Sequence, residues 1–496
     1  MAMKRDVRDR SSRQSAVPFV KDLCRHAYGA RVSFHMPGHK QRPSRNPDLA
    51  CLWGDGLFRS DLSEIGGLDY LHAPQGALRQ AQALAAEAFG ADATLFLVNG
   101  STVGNHAALL SCVGAGQKVL MPRASHRSVY AGVLLSDAVP VFLPPLAHPD
   151  AAVPLAADLE PMEALLKAHP DIAAVHITSP SYYGTASDVA ACARLAHRYG
   201  VPLLVDEAHG AHFGFHPALP PSALECGADL VIQSTHKTLG SLYQSSMLHL
   251  KRGRVDARRV EQVLAMLQSS SPSALLLASL DAARATMATE GRALLDQTVT
   301  LAEQARAKIR TLRGLWCYGH DLVGAGGVQA VDPTKLMIRV SGLRLTGFEA
   351  RDLLREHHGV EVELADPEHV LCSLTLQDTA ESVAALIHGL QHLPCLCGRE
   401  GGRNQRALQA CWPRMPEQAM GTRAATFAPS RPCAFREAMG QVCAESVIPY
   451  PPGIPVLLPG ERIDAQALAF LEAWIAEGAH IVGAADPDLK TIQVVA

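Results

Sequence analysis

The sequence lacks a strong net charge. It has 45 Lys and Arg residues against 48 Asp and Glu residues, a formal net charge of -3 at pH 7. A chain without a basic excess has no field that would attract nucleic acid or an anionic membrane surface. We therefore expect neither as a partner, and small-molecule chemistry becomes the better expectation.

Long apolar runs and patterned cysteines are also missing. No apolar run approaches the length of a membrane span, and the charged N-terminus is followed by no apolar segment of the signal-peptide type. The 12 cysteines have no repeated spacing, which favours reduced thiols over a disulfide framework. The close pair Cys395 and Cys397 is weak evidence for metal binding. These absences predict a cytoplasmic protein without a metal site.

What the sequence has is an alternation of short apolar runs and helical patterns. Its 496 residues, 48% of them hydrophobic, suffice for two or three domains around a large core. Such alternation is typical of an α/β fold with a mostly parallel sheet and crossover helices. The predicted strands include 94–98, 118–121, 139–143, 172–177, 201–205 and 229–232. The predicted helices include 77–89, 159–169, 188–199 and 274–312.

Shifts in composition divide the chain into five predicted segments. The segment 394–431 is rich in Gly, Arg, Gln and Pro without a sustained period, which is typical of a linker. The segments are an N-terminal segment 1–70, a large domain 71–312, a small α/β domain 313–393, a linker 394–431 and a C-terminal domain 432–496.

The stretch Gln233 to Gly240 places one lysine, Lys237, among small hydroxyl residues directly after an apolar run. A lysine amine attacks a cofactor aldehyde only when deprotonated, and neighbouring hydroxyls and amides can hold an anionic phosphate. Lys237 is therefore a Schiff-base candidate, although most lysines after a strand are merely solvated. Gly100-Ser101-Thr102 follows another predicted strand and opens a helical pattern, which suits a phosphate or an ordinary helix N-cap.

Asp206 lies at the carboxyl end of a strongly apolar predicted strand, and a buried carboxylate needs a partner. The protonated ring nitrogen of pyridoxal phosphate would be such a partner. A cap of the following turn and a metal site with His209 and His212 are alternatives, the latter ranked well below the cofactor. His126 follows the strand 118–121, where a surface histidine is the better interpretation of the tetrapeptide alone.

Taken together, these stretches resemble the Orn/Lys/Arg decarboxylase family. The resemblance runs in order over nearly the whole chain, from about Pro18 to the end. The motifs that carry it are Phe34 to Lys40, Leu68 to His72, Val98 to Thr102, Val205 to His212, Gln233 to Lys237 and Pro449 to Gly460.

The resemblance implies a pyridoxal-phosphate enzyme of the aspartate-aminotransferase fold type, with a small α/β domain and a C-terminal α+β domain. The length is that of shorter members, which lack an N-terminal receiver-like domain. By motif match, Lys237 is expected to bond the cofactor, Asp206 to pair with its ring nitrogen and His126 to stack on its ring. The residues expected on the phosphate side are Ser101, Thr102, Ser234 and His236. His209 matches a position beside the cofactor.

Family members are usually dimers with active sites at the subunit interface, so a homodimer is expected. Ser271 or His39 is a candidate for serving a neighbouring subunit.

The resulting hypothesis is decarboxylation of arginine, lysine or ornithine to agmatine or a diamine, as part of polyamine metabolism. Lys237 or His236 would return a proton to the α-carbon. The alternatives are an aminotransferase or lyase step on the same cofactor, a non-catalytic regulatory protein with this fold, and a zinc hydrolase using His209 and His212.

Selectivity among the three substrates depends on a group that meets the distal cation of the side chain. The candidates are Glu363, Glu445 and Glu461, each of which could equally be a surface carboxylate.

Overall fold

The structure of the protein is a computed structural model that describes residues 12–29, 32–64, 67–144, 151, 153, 156–396, 413–450 and 453–496. Its helices are α1 (Pro18–Ala27), α2 (Pro47–Ser60), α3 (Ala77–Phe89), α4 (Gly100–Cys112), α5 (Arg127–Ser136), α6 (Leu159–Ala168), α7 (Val189–Arg198), α8 (Thr235–Thr238), α9 (Ala257–Leu267), α10 (Ala274–Arg310), α11 (Gly347–His358), α12 (Ala380–Leu396), α13 (Thr422–Phe427) and α14 (Ala465–Ala476).

The strands follow the same chain order. They are β1 (Ala93–Leu97), β2 (Lys118–Pro122), β3 (Val139–Leu143), β4 (Ile172–Thr178), β5 (Thr185–Ser187), β6 (Leu203–Asp206), β7 (Leu230–Gln233), β8 (Ser246–Leu250), β9 (Trp316–Cys317), β10 (Val328–Val331), β11 (Lys335–Arg339), β12 (Leu364–Ala365), β13 (His369–Ser373), β14 (Ser430–Ala434), β15 (Ile448–Tyr450), β16 (His480–Val482) and β17 (Thr491–Val495).

Seven strands share one sheet, in the order β1-β8-β7-β6-β4-β2-β3. The neighbours β6 and β7 run parallel, and β2 runs parallel to both β3 and β4. The strand β8 runs antiparallel to both β1 and β7, so the sheet is mixed and mostly parallel, as predicted. The predicted strands did not include β8, in which Ser246 and His249 interrupt the apolar run.

Cα packing divides the chain into two compact units. The first comprises Met1–Cys112, Leu204–Pro217 and Pro221–Asp296, and the second Val113–Leu203, Ala218–Pro220 and Gln297–Ala496. In the first unit, α4 lies so close to the sheet that a Cβ at Gly104 would stand 2.7 Å from Cγ2 of Ile232. This close approach brings the N-terminus of α4 beside the ends of β7 and β8.

The second unit contains a four-stranded sheet in the order β12-β13-β11-β9, together with the pairs β14-β17 and β15-β16. Apolar residues of the four-stranded sheet and α11, such as Ile338 and Phe348, share one core with Phe470 and Trp474 of α14. The C-terminal module, defined here as the described residues from 413 to 496, is therefore packed as part of this unit.

The predicted linker 394–431 lies partly outside the described residues, which omit 397–412. Within its described part, α12 continues to Leu396 and α13 forms over Thr422–Phe427. Among the described residues, no helix combines the length and apolar character that crossing a membrane requires.

Candidate active site

Lys237 lies on α8, a single helical turn that follows β7 after Ser234. Its Nζ is 2.9 Å from Nε2 of His209, whose side chain is buried, while Lys237 is half-buried. An ammonium group would donate this bond to an unprotonated Nε2 of His209, whereas a neutral amine could accept it from a protonated Nε2. The contact allows direct proton exchange between amine and ring.

Asp206 is the last residue of β6 and is 3% exposed. Nδ2 of Asn105 donates to Oδ2 at 2.8 Å, and the amide of Ala208 donates to Oδ1 at 3.1 Å. Buried carboxylates require such donors. Asn105, on α4, was not among the predicted site residues. No local pattern in the sequence of α4 distinguishes it from the polar residues around it.

Three hydroxyls meet at the N-terminus of α4. Oγ of Ser101 is 2.7 Å from Oγ of Ser234 and 3.3 Å from Oγ of Ser246. Gly100 opens the helix at a φ of 66°, a left-handed conformation that favours glycine. Its amide donates to the carbonyl of Gln244 at 2.8 Å. Hydroxyls and a helix N-terminus together form a donor set suited to an anion, and Ser246 was not predicted to belong to it.

Thr102 and His236 flank this cluster in sequence. Thr102 follows in the first turn of α4 with an exposed side chain. Nδ1 of His236 donates to the carbonyl of Ser245 at 2.6 Å, since a carbonyl only accepts. Burial lowers the pKa of His236, the bond to Ser245 opposes this, and nearby Lys237 lowers it further. His236 is therefore a neutral ring near pH 7.

His126 belongs to the second unit, where it is the N-cap of α5. Its Nδ1 accepts a hydrogen bond from the amide of Ser128 at 3.2 Å and lies 2.8 Å from Oγ of the same serine. Because Nδ1 accepts, the ring carries its proton on Nε2. The capping bond fixes the ring at the start of the helix.

A chain of buried hydrogen bonds spans β1, β8, β7 and the end of β6. Oγ1 of Thr94 is 2.8 Å from Nδ1 of His249, and Nε2 of His249 is 3.0 Å from Oε1 of Gln233. Nε2 of Gln233 donates to Oε2 of Glu207 at 2.7 Å, and the amide of Ala223 donates to Oε1 at 2.8 Å. Sequence reasoning did not find this network.

Burial sets the protonation of this network. It lowers the pKa of His249 to about 3, so the ring is neutral. It raises the pKa of Glu207 to about 8, although the bonds from Gln233 and Ala223 act in the opposite direction.

The three glutamates considered for substrate recognition have different surroundings. Glu461 is buried in an ion pair with Arg123. Glu445 accepts hydrogen bonds from the amides of Ala485 and Gln493 at 2.6 and 2.8 Å. Glu363 has an exposed side chain, and its amide donates to the carbonyl of Leu371. The carboxylates of Glu461 and Glu445 are thus engaged in structural contacts.

The two residues considered for a neighbouring subunit lie at the surface of the first unit. Ser271 is exposed, and its amide donates to Oγ of Ser269 at 3.1 Å. His39 is half-buried, with Nε2 3.1 Å from Oδ2 of Asp61 and its ring edge-on to Phe58.

Metal binding by Asp206, His209 and His212 finds no support in the geometry. Within the described ranges, no group of three or more His, Cys, Asp or Glu residues is arranged to hold a metal ion. His209 instead faces Lys237.

A sequence model of the Orn/Lys/Arg decarboxylase major domain matches residues 17–382, and one of the Orn/Lys/Arg decarboxylase C-terminal domain matches residues 405–485. The chain belongs to the Orn/Lys/Arg decarboxylase family. An arginine decarboxylase of Halalkalibacterium halodurans is 40% identical over 98% of this chain and 98% of the relative. An arginine decarboxylase of Bacillus subtilis is 38% identical over 97% of this chain and 98% of the relative.

Solved structures show the same fold. Lysine decarboxylase A from Pseudomonas aeruginosa superposes with a TM-score of 0.83 at 22% identity, covering 97% of this chain and 80% of that one. The predicted aspartate-aminotransferase-like fold is therefore confirmed. Family membership also confirms the predicted pyridoxal-phosphate cofactor and the decarboxylation of a basic amino acid, ahead of the alternatives considered from sequence.

The donor set of the first unit fits pyridoxal phosphate. Hydroxyls at the N-terminus of α4 match a phosphate, and the buried carboxylate of Asp206 matches a protonated ring nitrogen. The half-buried amine of Lys237 is of the chemical type that reacts with an aldehyde.

Proposed function

We propose that this member of the family is an arginine decarboxylase, which converts arginine to agmatine and carbon dioxide. The choice of arginine is supported by the names of two relatives at 38% and 40% identity, each aligned over nearly all of both chains. The single observation that supports the location of the site is the 2.9 Å contact between Lys237 and His209 at the end of β7.

Lys237 is the proposed attachment point and the proposed proton carrier. When bound, pyridoxal phosphate supplies an aldehyde that takes an amine and a ring that accepts the electron pair of the broken bond. Lys237 gives its proton to Nε2 of His209 when the amine must attack, because the two atoms are in hydrogen-bond contact. After carbon dioxide leaves, Nε2 of His209 would return that proton to the Lys237 amine, and the resulting ammonium group would donate it to the substrate α-carbon.

His236 is a weaker candidate for that final proton. Its Nδ1 proton is directed to the carbonyl of Ser245, and its lowered pKa leaves Nε2 unprotonated near pH 7. A general acid must carry a transferable proton at the working pH. We therefore assign His236 a positioning role at the phosphate side. The return of the proton to the substrate α-carbon is assigned to Lys237.

Asp206 is the proposed partner of the ring nitrogen, and Asn105 holds it. A carboxylate beside the nitrogen keeps that nitrogen protonated and so favours electron flow into the ring. The donor bonds from Asn105 and the amide of Ala208 fix the orientation of the carboxylate. Asn105 thus acts through Asp206.

The remaining proposed contacts follow from chemistry and motif. Ser101, Thr102 and Ser234 are proposed to hold the phosphate, with Ser246 added by its position in the same hydroxyl cluster. His126 is proposed to stack on the ring, as its motif match implies. His209 is proposed to lie beside the cofactor as the proton partner of Lys237.

A homodimer is the proposed assembly. The first unit exposes large apolar side chains, including Phe34 at 91%, Met36 at 68% and Tyr243 at 86%. Side chains of this size are enriched in interfaces between subunits. Ser271 and His39 are proposed to serve the neighbouring subunit. We further propose a cytoplasmic protein that supplies agmatine to polyamine synthesis.

A direct assay tests the substrate. Purified protein loaded with pyridoxal phosphate is incubated side by side with arginine, lysine and ornithine carrying a labelled carboxylate, and released carbon dioxide is measured. We expect kcat/KM for arginine to exceed the other two by about 100-fold or more, because buried groups that bind a guanidinium are left unpaired by a shorter amine. Equal or faster release from lysine or ornithine would contradict the proposal.

A further inference from the structure

A buried ion pair joins the end of β2 to the C-terminal module. The guanidinium of Arg123 donates to both carboxylate oxygens of Glu461, one of these bonds measuring 2.8 Å. The side chains are 4% and 1% exposed, and both residues belong to the second unit. Glu461 is thereby committed to Arg123, and it was one of the three glutamates considered for substrate recognition.

The pair is completed by bonds from both sides. Nε and Nη2 of Arg123 donate to the carbonyls of Pro455 and Val456 at 3.3 and 3.0 Å. The amide of Leu458 donates to Oε2 of Glu461 at 2.8 Å. All three guanidinium nitrogens are therefore bonded to the C-terminal module, which makes this contact directional and specific.

Arg123 begins the short loop 123–126, which ends at His126 and leads into α5. Oη of Tyr130 donates to the carbonyl of Arg123 at 2.5 Å, and Oγ of Ser125 donates to the carbonyl of Pro122 at 2.7 Å. His126 caps α5 at the other end of the loop. Hydrogen bonds from side-chain hydroxyls to main-chain carbonyls thus hold the loop locally, and the Arg123 side chain connects it to the C-terminal module.

We propose that Glu461 is a positioning residue which, through Arg123, sets the position of His126 and thereby the strength of cofactor binding. This inference rests on the proposed stacking role of His126. Glu461 does not touch the cofactor or the substrate in this proposal. Its carboxylate compensates the buried guanidinium, and without it an unpaired charge would remain in the interior beside the loop.

A double-mutant cycle tests this positioning role. Glu461→Gln, His126→Ala and the double variant are compared with the wild-type holoenzyme for cofactor dissociation constant and for visible circular dichroism of the bound cofactor. We expect Glu461→Gln to weaken cofactor binding about tenfold, the effect of one lost charge-assisted hydrogen bond. If Glu461 acts through His126, the double variant should bind no more weakly than His126→Ala alone.

The matched control is Glu472→Gln, which breaks the solvent-exposed pair Arg436–Glu472 in the same C-terminal module. It should leave both readouts unchanged. Additive effects of Glu461→Gln and His126→Ala would overturn the inference, as would a Glu461→Gln protein with unchanged cofactor binding. If Glu461→Gln does not fold, Arg123→Lys replaces it in the same cycle, because lysine keeps the charge and loses the paired geometry.

Failure of the proposed function has a different signature in this experiment. If His126→Ala alone leaves cofactor binding and circular dichroism unchanged, the stacking role of His126 is wrong. If His126→Ala is impaired and the Glu461 effect adds to it, only the positioning role is wrong.

Discussion

Asp206 and Glu207 are consecutive buried carboxylates with different neighbours. Asp206 accepts hydrogen bonds from Asn105 of α4 and from a main-chain amide. Glu207 accepts from Gln233 and from the amide of Ala223, inside the network that runs to His249. Asp206 ends β6, and the amide of Glu207 continues the pairing by donating to the carbonyl of Ile232 at 2.9 Å, so the two side chains point to opposite faces of the sheet. The two residues are similar in type and in burial. The proposed division, with Asp206 serving the chemistry and Glu207 the structure, therefore depends on which face of the sheet each side chain occupies.

The largest expected effect comes from removing the amine on which the site depends. Lys237→Ala should lower the rate of carbon dioxide release about 10⁴-fold or more and abolish the visible absorbance of the bound cofactor, because the variant loses the amine proposed to bond the cofactor aldehyde. The control is Lys251→Ala, which removes a lysine whose Nζ donates to the carbonyl of Gly90. A Lys237→Ala protein that retained the absorbance band would locate the chemistry elsewhere.

Replacing each carboxylate with its amide isostere tests whether Asp206 and Glu207 have different roles. Asp206→Asn should lower kcat about 100-fold, because the proposed ring nitrogen loses the charge that keeps it protonated. Glu207→Gln should change kcat less than about fivefold near pH 7, where Glu207, with a pKa of about 8, is already mostly neutral. Steady-state kinetics at saturating cofactor measure kcat for both variants. Equal losses of kcat would contradict the different roles of Asp206 and Glu207.

The raised pKa of Glu207 also predicts how the stability of the protein changes with pH. The raised pKa of Glu207, about 8, means that the folded protein holds a proton which the unfolded chain releases above about pH 4.3. The contribution of Glu207 to the free energy of unfolding is therefore fully present below about pH 4.3. Above that pH it falls by about 1.4 kcal/mol per pH unit, and it levels off above the folded-state pKa.

Chemical denaturation of wild type and Glu207→Gln at several pH values checks this slope. The variant has no titrating group at this position, so its stability relative to wild type should rise with pH up to about pH 8. The amide loses one accepted hydrogen bond, which adds a constant offset without a slope. Parallel stability curves for the two proteins would show that Glu207 is ionised throughout.

The sequence was informative where local pattern determines structure. The strand predicted over 139–143 is β3 with the same bounds, and the helix predicted over 77–89 is α3 with the same bounds. Ser101 and Ser234, both expected on the phosphate side by motif match, have hydroxyls 2.7 Å apart. Such strand and helix bounds can be predicted from local sequence because hydrophobic periodicity and turn residues act over only a few positions.

Contacts between distant residues were not predictable in this way. Gln233 bonds both Glu207 and His249, and the second bond exists because β8 pairs antiparallel with β7. The pair Arg123–Glu461 joins residues 338 positions apart, with no local signal at either end. Such partners become visible only when strand pairing and module packing are known.

The smallest expected effect concerns Ser246, which reaches the hydroxyl cluster from the unpredicted strand β8. Its Oγ is 3.3 Å from Oγ of Ser101, a longer contact than the 2.7 Å between Ser101 and Ser234. Ser246→Ala should weaken cofactor binding about threefold, and Ser234→Ala about tenfold, because the Ser234 hydroxyl lies closer to Ser101 at the helix N-terminus, where the phosphate is proposed to bind. Ser241→Ala, which removes a hydroxyl bonded to Ser245, serves as the control. A larger loss in Ser246→Ala than in Ser234→Ala would mean that β8, and not the turn after β7, provides the main side-chain donor at the N-terminus of α4.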